Sequence, residues 1–273
     1  MIGACSEEDE PCAEGHTITI TDPSSIEMNW VEVEGGTFDM GCTAEQVAVM
    51  TYCIEQEMPV HKVSLDGYMI SKFEVTNQQF LLFLNSQEVD CINDRVKVAE
   101  KLYVSLTDNI NFIDGLFTIE DSLKNHPITL YWSGANAFCE WVRGRLPTEA
   151  EWEFAARGGN KSKGYVYSGS NNFEEVGRIT EDADSKYEIG SLAPNELGIF
   201  DMSGNASEWC NDFYEIYYYH ESPEHNPQGP KDDSDGRSVR TGNSSEDPLH
   251  YGRVSYRSNI SGIRTGCRCA KNL

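Results

Sequence analysis

The sequence predicts an α+β fold: a single irregular, loop-rich domain in which short strands and turns outnumber helices. Apolar residues fall in many short runs punctuated by 23 glycines and 10 prolines, a pattern of turns rather than of long periodic helices. Only three windows, 77–85, 133–142 and 148–157, read as helices. The chain has 273 residues, 39% hydrophobic and 11% aromatic. That is enough apolar surface for one sizeable core, although length alone would allow two domains. No internal repeat is visible; residues 1–27 read as a leader and tether and 28–273 as one domain.

Along the chain, Ile2-Gly3-Ala4-Cys5 has the apolar-small-small-Cys form of a bacterial lipoprotein cleavage box, which makes Cys5 a candidate lipidation site. The acidic run that follows it, Ser6 to Glu10, reads as a tether. Residues 30–41 (WVEVEGGTFDMG) read as a strand and turn, and 57–80 as a second block of short strands leading to the first helix. Residues 87–125 carry polar and charged residues around two apolar runs and read as a surface excursion, such as a hairpin. In 144–159 (GRLPTEAEWEFAARGG), Thr148 is an N-cap and Glu151 can close a capping box. Glu149, Glu151 and Glu153 place charge suited to the positive helix end. Trp152, Ala155 and Ala156 should face a core, and Gly158-Gly159 should stop the helix. The tyrosine run Tyr214 to His220 reads either as a half-buried strand or as the wall of a binding groove.

Six ordered blocks resemble the formylglycine-generating enzyme family, also called the sulfatase-modifying factor domain. They are residues 30–41, 57–80, 126–141 (HPITLYWSGANAFCEW), 144–159, 194–210 (PNELGIFDMSGNASEWC) and the closing pair 253–257 and 266–270 (GCRCA). Several ordered blocks are far more specific than one short motif. The resemblance implies an irregular fold related to C-type lectin domains. It implies a disulfide between Cys139 and Cys269; Cys42 with Cys53 is a plausible local bridge. It also implies structural calcium at Asp201 and Glu208, through carboxylates, and at Gly204 and Ala206, through main-chain carbonyls, since a hard cation takes oxygen ligands. A second calcium site of the family should fall between Gly164 and Leu197. With no asparagine in 175–180 and only Asp182 or Asp184 at hand, it stays unassigned.

The family's enzymes oxidise a substrate cysteine to formylglycine with copper held by two thiolates, soft ligands suited to cuprous ion. The corresponding segment, 240–253, contains no cysteine, nor does any position between Cys210 and Cys267. Copper is therefore not expected and no catalytic residue is assigned. The expected role is a non-catalytic binding or assembly module, with Asn243, His250 and Tyr251 as candidate groove residues. The alternative is an active oxidase with displaced ligands drawn from Cys91, Cys210 or Cys267. The six histidines are scattered without helical i, i+4 pairing, and no nucleophile-elbow sequence supports hydrolysis.

A formal net charge of −24 argues against nucleic acid, whose phosphates need a basic face. Nine cysteines without zinc-type spacing point to an oxidising compartment. The expected location is the outer membrane or cell surface, through a lipid anchor of the kind exported in Bacteroidetes-type bacteria, with a protein or glycan as partner.

Overall fold

A computed structural model describes residues 18–19, 21–44, 53, 55–92, 95–98, 101–105, 110–178, 187–231, 236–240 and 265–273. The described elements are β1 (Trp30–Val33), β2 (Gly36–Met40), β3 (His61–Leu65), β4 (Tyr68–Ser71), α1 (Asn77–Leu84), β5 (Asp90–Ile92), β6 (Arg95–Val98), β7 (Lys101–Ser105), β8 (Asn111–Ile113), β9 (Leu116–Thr118), α2 (Trp132–Trp141), α3 (Glu149–Ala156), α4 (Phe173–Val176), β10 (Gly177–Arg178), β11 (Ser203–Gly204), β12 (Glu208–Phe213), β13 (Arg237–Arg240) and β14 (Ala270–Asn272). The mixed, loop-rich fold is the one expected, and its three long helices lie within a residue or two of the expected windows.

β4 is the centre of a three-stranded antiparallel sheet, β1-β4-β14. Val33, Tyr68 and Ile70 from it are buried, as period-two alternation on a half-buried sheet requires. β2 and β3 form an antiparallel pair with Phe38 opposite Val63. β12 pairs with β13 antiparallel, and the short β10 and β11 run parallel.

The helices start where local chemistry puts them. Thr76 accepts from the Gln79 amide at 3.2 Å while the Gln79 side chain accepts from the Thr76 amide at 3.0 Å. The same capping box opens α3: the Glu151 amide donates to Thr148 Oγ1 and the Thr148 amide to Glu151 Oε2. Each such cap is worth about 1 kcal/mol. α3 ends at Gly158, whose φ of 86° is the left-handed conformation that favours glycine.

Two apolar clusters result. One gathers Phe80, Phe83 and Phe138 with Leu130 and Trp209; the other gathers Val63, Ile70, Trp152, Phe154 and Met202. Fully burying a side chain of this size contributes roughly 1.5–3 kcal/mol. Both expected disulfides are present: Cys42 to Cys53, and Cys139 to Cys269 across 130 residues, which ties α2 to the segment before β14.

Two expectations are corrected and one is extended. Residues 87–125 are more than a surface hairpin: β5, β6 and β7 form a meander and β8–β9 a hairpin. Val96, Tyr103, Val104, Ile110 and Phe117 sink into the first cluster, so apolar packing overrode the polar average of the segment. α3 buries Trp152, Ala155 and Ala156 as expected, and its other five residues as well. The tyrosine run is not a strand; it is a turn containing a 3-10 segment, Tyr218–His220. Among the described residues no helix is long and apolar enough to cross a membrane.

Candidate functional site

The glutamates of α3 do more than face a helix dipole. Glu149 accepts from Arg240 at 3.0 Å, from the Tyr219 hydroxyl at 3.1 Å and from the Ser238 hydroxyl at 3.2 Å. Glu153 accepts from Arg157, from Arg240 at 2.9 Å and from the Gly41 amide at 3.0 Å. Glu151 receives both guanidinium arms of Arg145 at 2.7 Å. Arg240, fully buried at the end of β13, is thus clamped by two carboxylates of a helix that precedes it by about ninety residues. Buried charges persist only when paired and hydrogen-bonded in this way.

The expected calcium ligands lie in one region. Asp201 and Asn205 have positive φ, 59° and 60°, and Gly204 has φ 95°. The chain therefore turns tightly between β11 and its neighbours. Asp201 Oδ2 accepts from the Gly190 amide at 2.7 Å; among the described residues its Oδ1 has no donor. Glu208 accepts from Arg268 on both oxygens at 2.7 Å and from the Trp152 indole on Oε2 at 2.7 Å. Three of roughly four acceptor positions on that carboxylate are filled, leaving one on Oε1.

Sequence reasoning missed Glu74, whose carboxylate accepts from the Asn205 side chain at 2.6 Å and from the Ala206 amide at 2.9 Å. Its only signal was its place in the block 57–80. Burial, then the nearby carboxylates of Asp201 and Glu208, hold the Glu74 carboxyl well above the usual range. Burial raises Asp201 likewise, against the pull of the Gly190 amide and Arg268. Three buried carboxylates therefore gather around one buried guanidinium, Arg268.

A hard cation fits this donor set in kind: carboxylate oxygens, main-chain carbonyls and an excess of negative charge. Among the described residues no three His, Cys, Asp or Glu side chains form a cluster that could hold a metal unaided. The carbonyls of Gly204 and Ala206 would have to complete the shell.

Six of the nine cysteines lie among the residues whose side chains are described. Cys42, Cys53, Cys139 and Cys269 are bridged. Cys210 and Cys267 are free, fully buried, and belong to different apolar clusters. Burial pushes both thiols up, and neighbouring carboxylates add to the effect. Neither thiol has the electropositive, partly exposed surroundings that make a cysteine a nucleophile or a metal ligand. Asn243, His250, Tyr251, Cys5 and Asp182 and Asp184 lie outside the described residues, as does the side chain of Cys91.

The chain is similar to known proteins over most of its length. It is 33% identical over 258 residues to the serine/threonine-protein kinase pkn1 of Chlamydia pneumoniae, covering 92% of this chain but 39% of that protein. It therefore spans well under half of the relatives that carry this name. It is 29% identical over 235 residues to the formylglycine-generating enzyme of Streptomyces coelicolor, covering 73% of this chain and 74% of the other. Among solved structures, PvdO from Pseudomonas aeruginosa shares the fold with a TM-score of 0.65 at 21% identity, over 89% of this chain and 94% of that one. Treponema denticola variable protein 1 shares it at 0.56 and 19%, over 89% and 95%. Residues 19–273 match the sulfatase-modifying factor enzyme 1-like domain, and the chain belongs to that family.

Proposed function

We propose that this chain is a non-catalytic binding or assembly module on the formylglycine-generating enzyme scaffold. The observation that carries this reading is the state of its cysteines. The family's oxidation needs two close thiolates as a cuprous site, and residues 211–266 contain no cysteine. The two free thiols of the described residues are sealed in separate cores, out of reach of a peptide. The test is incubation of the purified protein with copper, oxygen, a thiol reductant and a sulfatase-type Cys-x-Pro-x-Arg peptide, followed by mass spectrometry. We expect no aldehyde product. Protein-dependent conversion, abolished on replacing Cys91, Cys210 or Cys267, would establish the active-oxidase alternative instead.

We further propose an exported, lipid-anchored location, supported by Ile2-Gly3-Ala4-Cys5 and by two disulfides, which persist in oxidising compartments. The ligand is a protein or glycan met at the cell surface. A structural calcium ion at Asp201, with the carbonyls of Gly204 and Ala206 and with Glu208, completes the reading. The gathering of three buried carboxyl groups, Glu74, Asp201 and Glu208, around the one guanidinium of Arg268 supports it. A calcium ion there would supply charge compensation and rigidity, not chemistry.

A further inference from the structure

Between β12 and β13 the chain makes an excursion whose two limbs enclose a surface cavity of about 700 Å³, lined among others by Glu215, Tyr217, Tyr218, Glu221, Pro223 and Lys231. Its volume lies within the roughly 300–1,000 Å³ usual for ligand pockets. Both limbs are anchored on the core. On the first, Tyr219 is buried and its hydroxyl donates to Glu149, while its ring packs 4.6 Å from that of His61. On the second, the Ser64 amide of β3 donates to the Glu224 carbonyl at 2.7 Å, and the Asn226 amide returns a bond to Ser64 at 2.9 Å. The walls are therefore preformed, which lowers the cost of ordering them on binding.

The tyrosines divide their tasks. Tyr219 holds the turn down while Tyr217, 50% exposed, presents its ring to solvent. The Tyr217 amide donates to Glu215 Oε1 at 2.9 Å, which fixes that carboxylate against the Tyr217 backbone. Two carboxylates, one ammonium and the His220 imidazole, whose ring meets that of Tyr217 with centroids 6.3 Å apart, line the cavity, and among the described residues none of the four forms an ion pair. The balance is negative, on a chain whose net charge is −24. An anion is repelled from this face, and a cation is steered to it.

We propose that this cavity binds an alkylammonium or guanidinium group carried by a lysine- or arginine-bearing segment of a partner protein. The cation sits against the tyrosine faces, attracted by the ring quadrupole, and donates charge-assisted hydrogen bonds to Glu215 and Glu221. Pro223 supplies apolar wall for the aliphatic stem. The proposal rests on the binding-module reading and gives it a site and a partner chemistry.

The test is calorimetric titration of the full chain with a lysine–glycine repeat peptide, the same peptide with its lysines acetylated, and an uncharged oligosaccharide. We expect the lysine peptide alone to bind, at one site. Tyr217→Ala should weaken it roughly two- to thirty-fold. Glu215→Gln and Glu221→Gln should each weaken it and flatten its salt dependence. Glu120→Gln, which removes the same charge from an exposed position elsewhere, should leave it unchanged. Intact disulfides and an unaltered circular dichroism spectrum certify each variant's fold. Equal effects of Glu120→Gln and Glu221→Gln, equal binding of the acetylated peptide, binding of the oligosaccharide in its place, or no binding at all would each overturn the cation site. The formylglycine assay fails or succeeds independently: a blank in both leaves the non-catalytic reading standing without this pocket.

Discussion

Glu57 shows how strongly one side chain can depend on its surroundings here. It is buried beside the Cys42–Cys53 loop, where the Cys42 amide donates to its main-chain carbonyl at 3.0 Å. Its Oε1 has no hydrogen-bond partner among the described residues. Burial raises its carboxyl from 4.5 to about 8; Arg240 pulls it down, and Glu153 and Glu149 push it up. The folded state thus binds this proton more tightly than the unfolded chain does. The stabilisation is fully present below about pH 4.5 and is lost as pH rises through about 8, at about 1.4 kcal/mol per unit across the window. Glu57→Gln cannot ionise, so its stability relative to the parent should improve from pH 5 to about pH 8 and level off above that. Urea unfolding of both proteins at several pH values measures this. Parallel curves across that range would show that the carboxyl is not buried in its neutral form. Nothing in the sequence around Glu57 announces any of this, because the burial that decides it and the charges that modify it come from packing against distant elements, α3 and β13 among them.

α2 and β14 illustrate a different economy, a covalent tie across most of the chain. The Cys139–Cys269 bridge closes a loop of 130 residues, which by the chain-entropy argument stabilises the fold by roughly 5 kcal/mol. The paired replacement Cys139→Ser with Cys269→Ser should lower the urea midpoint by a corresponding amount under non-reducing conditions. An unchanged midpoint would mean that packing of α2 alone holds that end of the molecule. The pairing was legible from the resemblance, and the helices from their own residues, since a capping box needs only positions i and i+3. What reached across the chain was not legible in this way. The carboxylates of α3 could be placed on a helix, but Arg240 lies 91 residues beyond Glu149, and no periodicity links them. The meander and hairpin of 87–125 were hidden because their buried positions, Val96, Tyr103, Val104 and Phe117 among them, are few and scattered among the charged and polar residues that set the average character of the segment.

Charge is distributed over the fold in two registers: a strongly acidic whole, with a net −24, and buried acidic groups answered by arginines. Around Arg240 the answer for Glu149 and Glu153 is close to complete, because Arg157 shares Glu153, while the neighbouring Glu57 carboxyl is left without a guanidinium partner among the described residues and is raised by burial. Around Arg268 it is not. Glu74, Asp201 and Glu208 are all buried there, and Arg268 is the one guanidinium hydrogen-bonded to any of them among the described residues. The sequence motif containing Asp201 and Glu208 was readable, but the deficit appears only when the fold adds Glu74 from the strand-to-helix turn before α1. A divalent cation bound at Asp201 would cancel the surplus and lower the proton affinity of both raised carboxyls. Calcium binding to the folded state alone adds stability by mass action, about 2.7 kcal/mol at a hundredfold excess over Kd. Thermal unfolding in calcium should therefore exceed that in chelator by several degrees. The gap should narrow as pH falls, because the protonated forms of Glu74 and Asp201 compete with the ion. Magnesium, which dehydrates reluctantly, should do less, and Asp201→Asn should abolish most of the calcium shift while leaving the chelator midpoint nearly unchanged. Identical midpoints with calcium and chelator at pH 8 would show that Arg268 and bound protons balance these carboxylates without a metal.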